Sequence, residues 1–194
     1  METERLEFKN PITTEDFNEL AKSIGYFIMK FETMVEAMRR EIMNMCTVKE
    51  IQEWPMIDIL LSDLTAEPLL KKFEAMFQYC CVEIKNKPEV IKLINEIYSE
   101  VNEAIKFRNK VAHAHWQVES HMNWETNTRE DSILAGTNAR IKKRIGVTNS
   151  FNHKKIKPAD EINGWTQKVN ITNDKILKLA EQIGKCEKTK FIKF

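Results

Sequence analysis

The chain has little glycine and little proline, with five of each among 194 residues. Collagen is excluded because it needs a glycine at every third position, and an all-β fold, which needs frequent turn residues, is disfavoured. No apolar run approaches the roughly 18 residues of a membrane span, so no membrane partner is expected. The first ten residues are acidic and lack an apolar core, so a secretory signal is not expected either.

Cysteine is also sparse and has no regular spacing. The four cysteines are Cys46, Cys80, Cys81 and Cys186. The adjacent pair at 80 and 81 is more typical of buried thiols than of a disulfide framework. We therefore expect a protein of the reducing cytoplasm.

Several widespread enzyme motifs are missing. The sequence contains no glycine-rich phosphate loop and no GxGxxG, GxSxG or HExxH motif. Acidic pairs occur on the expected helices, but exposed charged faces produce such pairs by default. Neither an enzyme motif of these types nor an acidic pair therefore identifies an active site.

Charge is distributed unevenly although the net charge is only +1. Residues 1–100 carry 19 acids and 12 bases, a net of −7, whereas residues 101–194 carry 10 acids and 18 bases, a net of +8. This asymmetry suggests an anionic partner for the second half. Neutralisation of one half by the other, within the fold or across a dimer, explains it equally well.

Apolar residues recur at steps of three and four through the first 114 residues, which predicts four helices. The first begins at Thr13 or Thr14 and ends near Cys46. The second follows a cap at Thr47, and Pro55 marks either a kink or a late start in it. Capping and proline signals start the third and fourth helices at residues 65–68 and 86–89, and a last helix at 158–161. The polar residues 170–173 leave open whether that last helix is interrupted.

The helical period is lost between residues 116 and 157. Short apolar alternations at 116–119 and 132–141 are compatible with a β-hairpin. Residues 140–157 carry seven bases and no acid. We therefore predict an all-α fold, a single helical domain over residues 1–194, with an irregular, basic insertion at 116–157 before the last helix.

Histidines cluster where the fourth predicted helix ends. His113, His115 and His121 lie within nine positions of one another. If this segment is extended, His113 and His115 share a face and could bind one metal ion with a distant cysteine or aspartate. If it is helical, they point away from each other and cannot do so. Since no CxxC pair is available, we expect no metal site.

A second pattern in the same place is Arg108-Asn109-Lys110-Val111-Ala112-His113. Asn109 and His113 are four residues apart, so on a helix the amide could orient the imidazole. Arg108 and His113 are about 140° apart around a regular helix. They converge only if the helix unwinds at Ala112 or if two copies of the motif face each other across a dimer axis.

This string, with Phe107 before it and Trp116 three positions after it, resembles the RNxxxH form of the Rx4–6H motif of HEPN domains. The resemblance is specific over about ten residues; a long first helix, a motif at the end of a later helix and a closing helix are shared architecture. It implies a metal-independent, cofactor-free endoribonuclease that forms a homodimer with the motifs in a shared cleft. Many such domains are toxins with a cognate antitoxin, or phage-defence effectors. Arg108 and His113 would then be catalytic and Asn109 supporting.

The chemistry of RNA cleavage suits these side chains. The 2′-OH attacks the adjacent phosphorus, which requires a base and an acid that titrate near neutrality and a cation on the phosphorane. Histidine can fill the first two roles, and arginine the third. The basic insertion would hold the RNA backbone, and Trp116 or Trp124 would stack a base. The residues predicted to contact RNA are Lys110, His115, Trp116, Arg140, Lys142, Lys143 and Arg144.

Each of these residues also has a structural interpretation. Arg108 could pair with Glu100 or Glu103 on its own helix, and His113 could be a buried residue closing the helix. The tryptophans could belong to the core, and the basic run could be a solvated loop. The alternative function is a catalytically inactive HEPN-like module that binds a protein or nucleotide partner.

Overall fold

The computed structural model describes residues 13–46, 54–81, 84–123, 128–138, 143–145 and 158–185. Within these ranges the chain forms five helices: α1 (Thr14–Cys46), α2 (Trp54–Ser62), α3 (Ala66–Cys80), α4 (Pro88–Ala112) and α5 (Pro158–Lys185). The predicted all-α class is confirmed. Three strands lie between α4 and α5: β1 (His115–Asn123), β2 (Thr128–Asn138) and β3 (Lys143–Ile145).

Helix α1 begins with a reciprocal cap. The backbone N–H of Asp16 donates to Thr13 Oγ1 at 3.2 Å, and Asp16 Oδ2 accepts from the Thr13 N–H at 2.8 Å. These bonds satisfy donors that the first helical turn leaves without a partner in the helix. The predicted start at Thr13 or Thr14 is therefore correct, and the helix ends at Cys46 as expected.

Of the two open points in the helix predictions, the one on α5 is resolved. The described part of α2 begins at Trp54, so Pro55 stands in its first turn. The choice between a kink and a late start at Pro55 depends on residues 47–53, which lie outside the described residues. Helix α5 is continuous through residues 170–173. Thr172 in this stretch is buried, and its hydroxyl lies 2.9 Å from the Lys168 carbonyl one turn earlier. The predicted cap at Thr47 lies outside the described residues.

The predicted hairpin is present between α4 and α5. Strands β1 and β2 pair antiparallel, with His115 opposite Thr137, and the register shifts between Ser120 and Met122. A third strand, which the sequence pattern did not indicate, pairs with β2 and gives the order β1-β2-β3. Strand β3 lies in the basic run, whose residues show no alternation of apolar and polar side chains.

The chain divides into two compact units, with boundaries that fall inside α1, α4 and α5. The first unit holds residues 1–27 and 108–164, and therefore the motif, the strands and the first turns of α5. The second holds residues 28–107 and 165–194. The prediction of one domain over residues 1–194 stays a prediction.

The second unit contains most of the buried apolar side chains. Most of them come from α1, α3, α4 and α5, as the helical periodicity predicts; the fully buried large ones include Met34, Met38, Ile42, Phe73, Phe77 and Ile97. Cys46 and Cys81 carry free thiols, and Cys81 Sγ lies 3.9 Å from Met45 Sδ. Cys81 is buried, as expected for the adjacent pair at 80 and 81, whereas Cys46 is half-buried.

Within the second unit α4 and α5 run antiparallel. Trp165 stacks on Phe107 with ring centroids 4.6 Å apart, and Lys168 Nζ lies 4.3 Å from the centre of the Trp165 ring. Further along, Lys175 Nζ bridges Glu96 Oε2 at 2.8 Å and Glu100 Oε1 at 2.6 Å. Charged side chains thus join these helices at one end of the contact, and aromatic rings join them at the other.

Candidate functional site

The predicted motif occupies the last turn of α4. The helix continues without a break to Ala112, the His113 N–H donates to the Asn109 carbonyl at 3.2 Å, and the Ala114 N–H donates to the Val111 carbonyl at 3.3 Å. The chain therefore stays helical to Ala112, His113 continues the helical hydrogen-bond pattern by one residue, and β1 begins at His115. The proposed unwinding at Ala112 does not occur.

This regular geometry separates the two motif side chains. Residues five apart on an α-helix are rotated by about 140° about its axis. Arg108 and His113 of one copy therefore leave α4 in divergent directions. Of the two ways in which they could converge, only the arrangement across two copies remains.

The imidazole of His113 is exposed to solvent. It makes no side-chain hydrogen bond to another residue in the described part of the chain. The interpretation of His113 as a buried residue closing the helix is therefore wrong. An accessible imidazole is what acid–base chemistry on an external ligand requires.

Arg108 is half-buried, and Asn109 beside it is exposed. Arg108 Nη1 donates to Asn109 Oδ1 over a long 3.4 Å. Among the described residues Arg108 forms no ion pair, so pairing with Glu100 or Glu103 is not observed; Glu100 is instead bound by Lys175 and Thr172. The Asn109 amide thus contacts the guanidinium, whereas the sequence pattern suggested that it orients His113.

Lys110, between Arg108 and His113, has a partner on another helix. Its Nζ lies 3.2 Å from Glu161 Oε1 in the first turn of α5. The two side chains are only 20% and 29% exposed. Sequence reasoning missed Glu161, because the pair joins residues 51 positions apart and no local pattern connects them.

The sheet brings part of the basic insertion back towards the motif. The register sets His115 opposite Thr137, and Thr137 opposite Arg144. Since neighbouring strands are about 4.8 Å apart, the backbone of Arg144 lies roughly 10 Å from that of His115. The next pair in the ladder, Asn138 and Lys143, is one step closer to the end of α4.

Other predicted RNA contacts have different outcomes. Trp116 is half-buried, and its backbone pairs opposite Gly136 in β2. Arg140, Lys142 and Trp124 lie outside the described residues. No group of three or more histidine, cysteine or acidic side chains that could hold a metal ion occurs in the described ranges.

None of the helices in the described part of the chain combines the length and apolar character that a membrane span requires. Comparison with protein-family models, with curated proteins and with solved structures found no match to this chain. The functional argument therefore depends on the residues of the motif and on their surroundings.

Proposed function

We propose that this protein is a metal-independent endoribonuclease of the HEPN type that acts as a homodimer. The observation that carries the proposal is the state of the motif in the last turn of α4. His113 is exposed, and Arg108 has no carboxylate partner in the described ranges. An accessible imidazole and an uncompensated guanidinium are the two groups that cleavage at a phosphate needs.

In the proposed reaction a neutral His113 takes the proton of the ribose 2′-OH. The 2′-oxygen attacks the adjacent phosphorus, and Arg108 stabilises the negative charge of the phosphorane through two N–H donors. The imidazolium of the same His113 then gives this proton to the leaving 5′-oxygen. The products are a 2′,3′-cyclic phosphate and a free 5′-OH.

The register of the sheet supports RNA as the substrate. Lys143 and Arg144 lie in β3, two strands away from the start of β1 that follows the motif. A polyanion bound at the motif would pass close to this basic strand, and cationic side chains bind a nucleic-acid backbone without regard to sequence. We assign the phosphate-binding role to these residues together with Arg140 and Lys142, and base stacking to Trp116.

The test is cleavage of a mixed-sequence RNA in excess EDTA by the wild type, Arg108→Ala and His113→Ala. Arg40→Ala on α1 and His121→Ala in β1 are the matched controls, because each removes the same type of side chain outside the motif. We expect 2′,3′-cyclic ends from the wild type and both controls. We expect a loss of at least about 100-fold in both motif variants.

Equal cleavage by all five proteins would indicate a contaminating nuclease and contradict the proposal. No cleavage by a folded wild type would contradict it as well. Circular dichroism spectra of all five proteins establish that the variants are folded.

An inactive binding module is the second candidate. It is favoured by the divergence of Arg108 and His113 on one copy of α4, which leaves a single copy without a converged pair. A module of this kind would bind RNA, a nucleotide or a protein partner and leave it intact. Fluorescence anisotropy of labelled RNA, run beside the cleavage assay, separates binding without cleavage from catalysis.

As a ribonuclease the protein would act in the cytoplasm, where RNA is present and the free thiols of Cys46 and Cys81 stay reduced. A role as a toxin with a cognate antitoxin, or as a phage-defence effector, follows from the resemblance to HEPN domains. Growth arrest on expression of the wild type, but not of His113→Ala, is the expected sign of such a role.

A further inference from the structure

The ion pair of Lys110 and Glu161 ties together the two ends of the inserted sheet. Lys110 lies in the last turn of α4, the helix that precedes the three strands in the chain, and Glu161 lies in the first turn of α5, the helix that follows them. The Nζ–Oε1 distance is 3.2 Å. Because 51 positions separate the two residues, this contact closes the whole insertion at its base.

The surroundings of this pair distinguish it from an ordinary surface ion pair. Its side chains are 20% and 29% exposed, whereas those of Lys71 and Glu67 on α3 are 65% and 59% exposed. Val111 beside Lys110 is buried, and so is Ile162 beside Glu161. Charges that are partly excluded from water are screened less, and removal of one partner takes from the other an opposite charge at 3.2 Å in this partly buried position.

One member of the pair, Lys110, lies inside the turn of α4 that carries the motif. The ends of helices fray, and this end is closed by two backbone bonds, from His113 to Asn109 and from Ala114 to Val111. The ion pair holds Lys110, and with it the last turn of α4, against the start of α5, and it therefore opposes fraying of that turn. We propose that Lys110 and Glu161 are positioning residues that hold the turn between Arg108 and His113, and that Lys110 does not bind substrate phosphate.

The activity test of this inference rests on the proposed function. It compares Lys110→Met, Glu161→Gln and the exchange Lys110→Glu with Glu161→Lys. Each single variant is expected to lower kcat about tenfold with an unchanged KM for RNA, and the exchange to restore most of kcat, because it re-forms the pair with reversed charges. Lys106→Met and Asp160→Asn, which remove an exposed charge of the same sign nearby, should behave as the wild type.

A phosphate contact by Lys110 predicts the opposite pattern. Lys110→Met would then raise KM and reduce the salt dependence of binding by about one counterion. Glu161→Gln would leave kcat unchanged, and the exchange, which sets an acid at position 110, would be worse than either single variant. This result would overturn the inference.

Hydrogen exchange tests the same inference without any activity. The amide hydrogens of residues 109–114 should exchange with solvent about tenfold faster in Glu161→Gln than in the wild type or in Asp160→Asn. The charge-swapped variant, Lys110→Glu with Glu161→Lys, should restore their protection. If the wild type cleaves no RNA but shows this pattern, the proposed function fails and the inference stands. If Glu161→Gln shows the same amide hydrogen exchange as the wild type and cleaves RNA normally, the inference is overturned and the ribonuclease proposal stays intact.

Discussion

The side chains of the motif differ in the contacts that they make with other residues of the protein. Lys110 contacts a carboxylate on another helix, Arg108 contacts only its neighbour Asn109 among the described partners, and His113 is left to solvent. A packed histidine would have indicated a structural role. Lys110 is half-buried and ion-paired, whereas His113 is exposed, so of these two side chains His113 is the one accessible to a ligand.

The buried carboxyl of Glu41 on α1 predicts how the stability of the fold depends on pH. Glu41 is 7% exposed, and burial raises the pKa of its carboxyl, while the hydrogen bond from Asn44 and the charge of Arg40 lower that pKa to a smaller extent. The folded state therefore holds the proton more tightly than the unfolded chain does. The free energy of unfolding should fall as pH rises from the usual glutamate pKa of about 4.3 to the raised value.

Glu41→Gln should remove this fall and raise the urea midpoint at pH 7, because the amide oxygen still accepts from Asn44 and no charge is buried. Urea unfolding from about pH 4 to pH 7 measures the effect. Glu32→Gln, at an exposed position on the same helix, is the control. Identical pH profiles for both variants and the wild type would contradict the prediction.

In the second unit, polar side chains of α5 form hydrogen bonds and ion pairs with glutamates of α4. Lys175 donates to Glu96 and Glu100, and the Thr172 hydroxyl lies 2.9 Å from Glu100 Oε2. These hydrogen bonds raise the pKa of Lys175, with Glu100 as the largest cause, and lower the pKa of Glu96. Both shifts show that the charged forms are favoured in the fold.

Lys175→Met should therefore lower the urea midpoint at pH 7. A lowered carboxyl pKa contributes stability above the usual glutamate value, and that contribution is lost as pH falls through the lowered value. The difference between Lys175→Met and the wild type should accordingly shrink at about pH 3, and also in high salt. Lys72→Met on α3, at an exposed position, is the control. A difference that is equal at both pH values would show that packing, not charge, is responsible.

The proposed dimer has a consequence that a mixing experiment can test. Because the side chains of one copy diverge by about 140°, a complete site takes Arg108 from one copy and His113 from the other. Arg108→Ala and His113→Ala are each expected to be inactive. A heterodimer of the two, however, retains one intact site.

Mixing the two variants in equal amounts and allowing subunit exchange should therefore restore about a quarter of the wild-type activity, since half of the dimers carry one of two sites. Sedimentation of the mixture measures the dimer, and the RNA cleavage assay measures the recovery. Mixtures of either variant with itself are the control. An exchanged mixture that stays inactive would mean that each site takes both residues from one copy, or that the motif does not act in catalysis.

Local patterns predicted the helices and the motif because both depend on residues close together in the chain. Apolar steps of three and four indicated α1 and α4, because a helix repeats about every 3.6 residues. The start of α1 at Thr13 or Thr14 was predicted because a threonine hydroxyl can accept a hydrogen bond from the first helical turn, as the bond from the Asp16 N–H shows. Arg108, Asn109 and His113 were found in the same way. Their spacing also predicted the divergence that a regular helix imposes.

What the sequence patterns did not contain is the pairing of residues far apart. Strand β3 is stabilised by its ladder with β2, so its short basic segment needs no alternation of its own to become a strand. The contact between Lys110 and Glu161 requires the end of α4 to meet the start of α5, and the exposure of His113 depends on what packs around that turn. The apolar spacing predicts which face of a helix is buried, but it does not specify which distant residues meet. Contacts such as Lys110 with Glu161, and the exposure of a polar residue such as His113, are therefore decided by the folded chain.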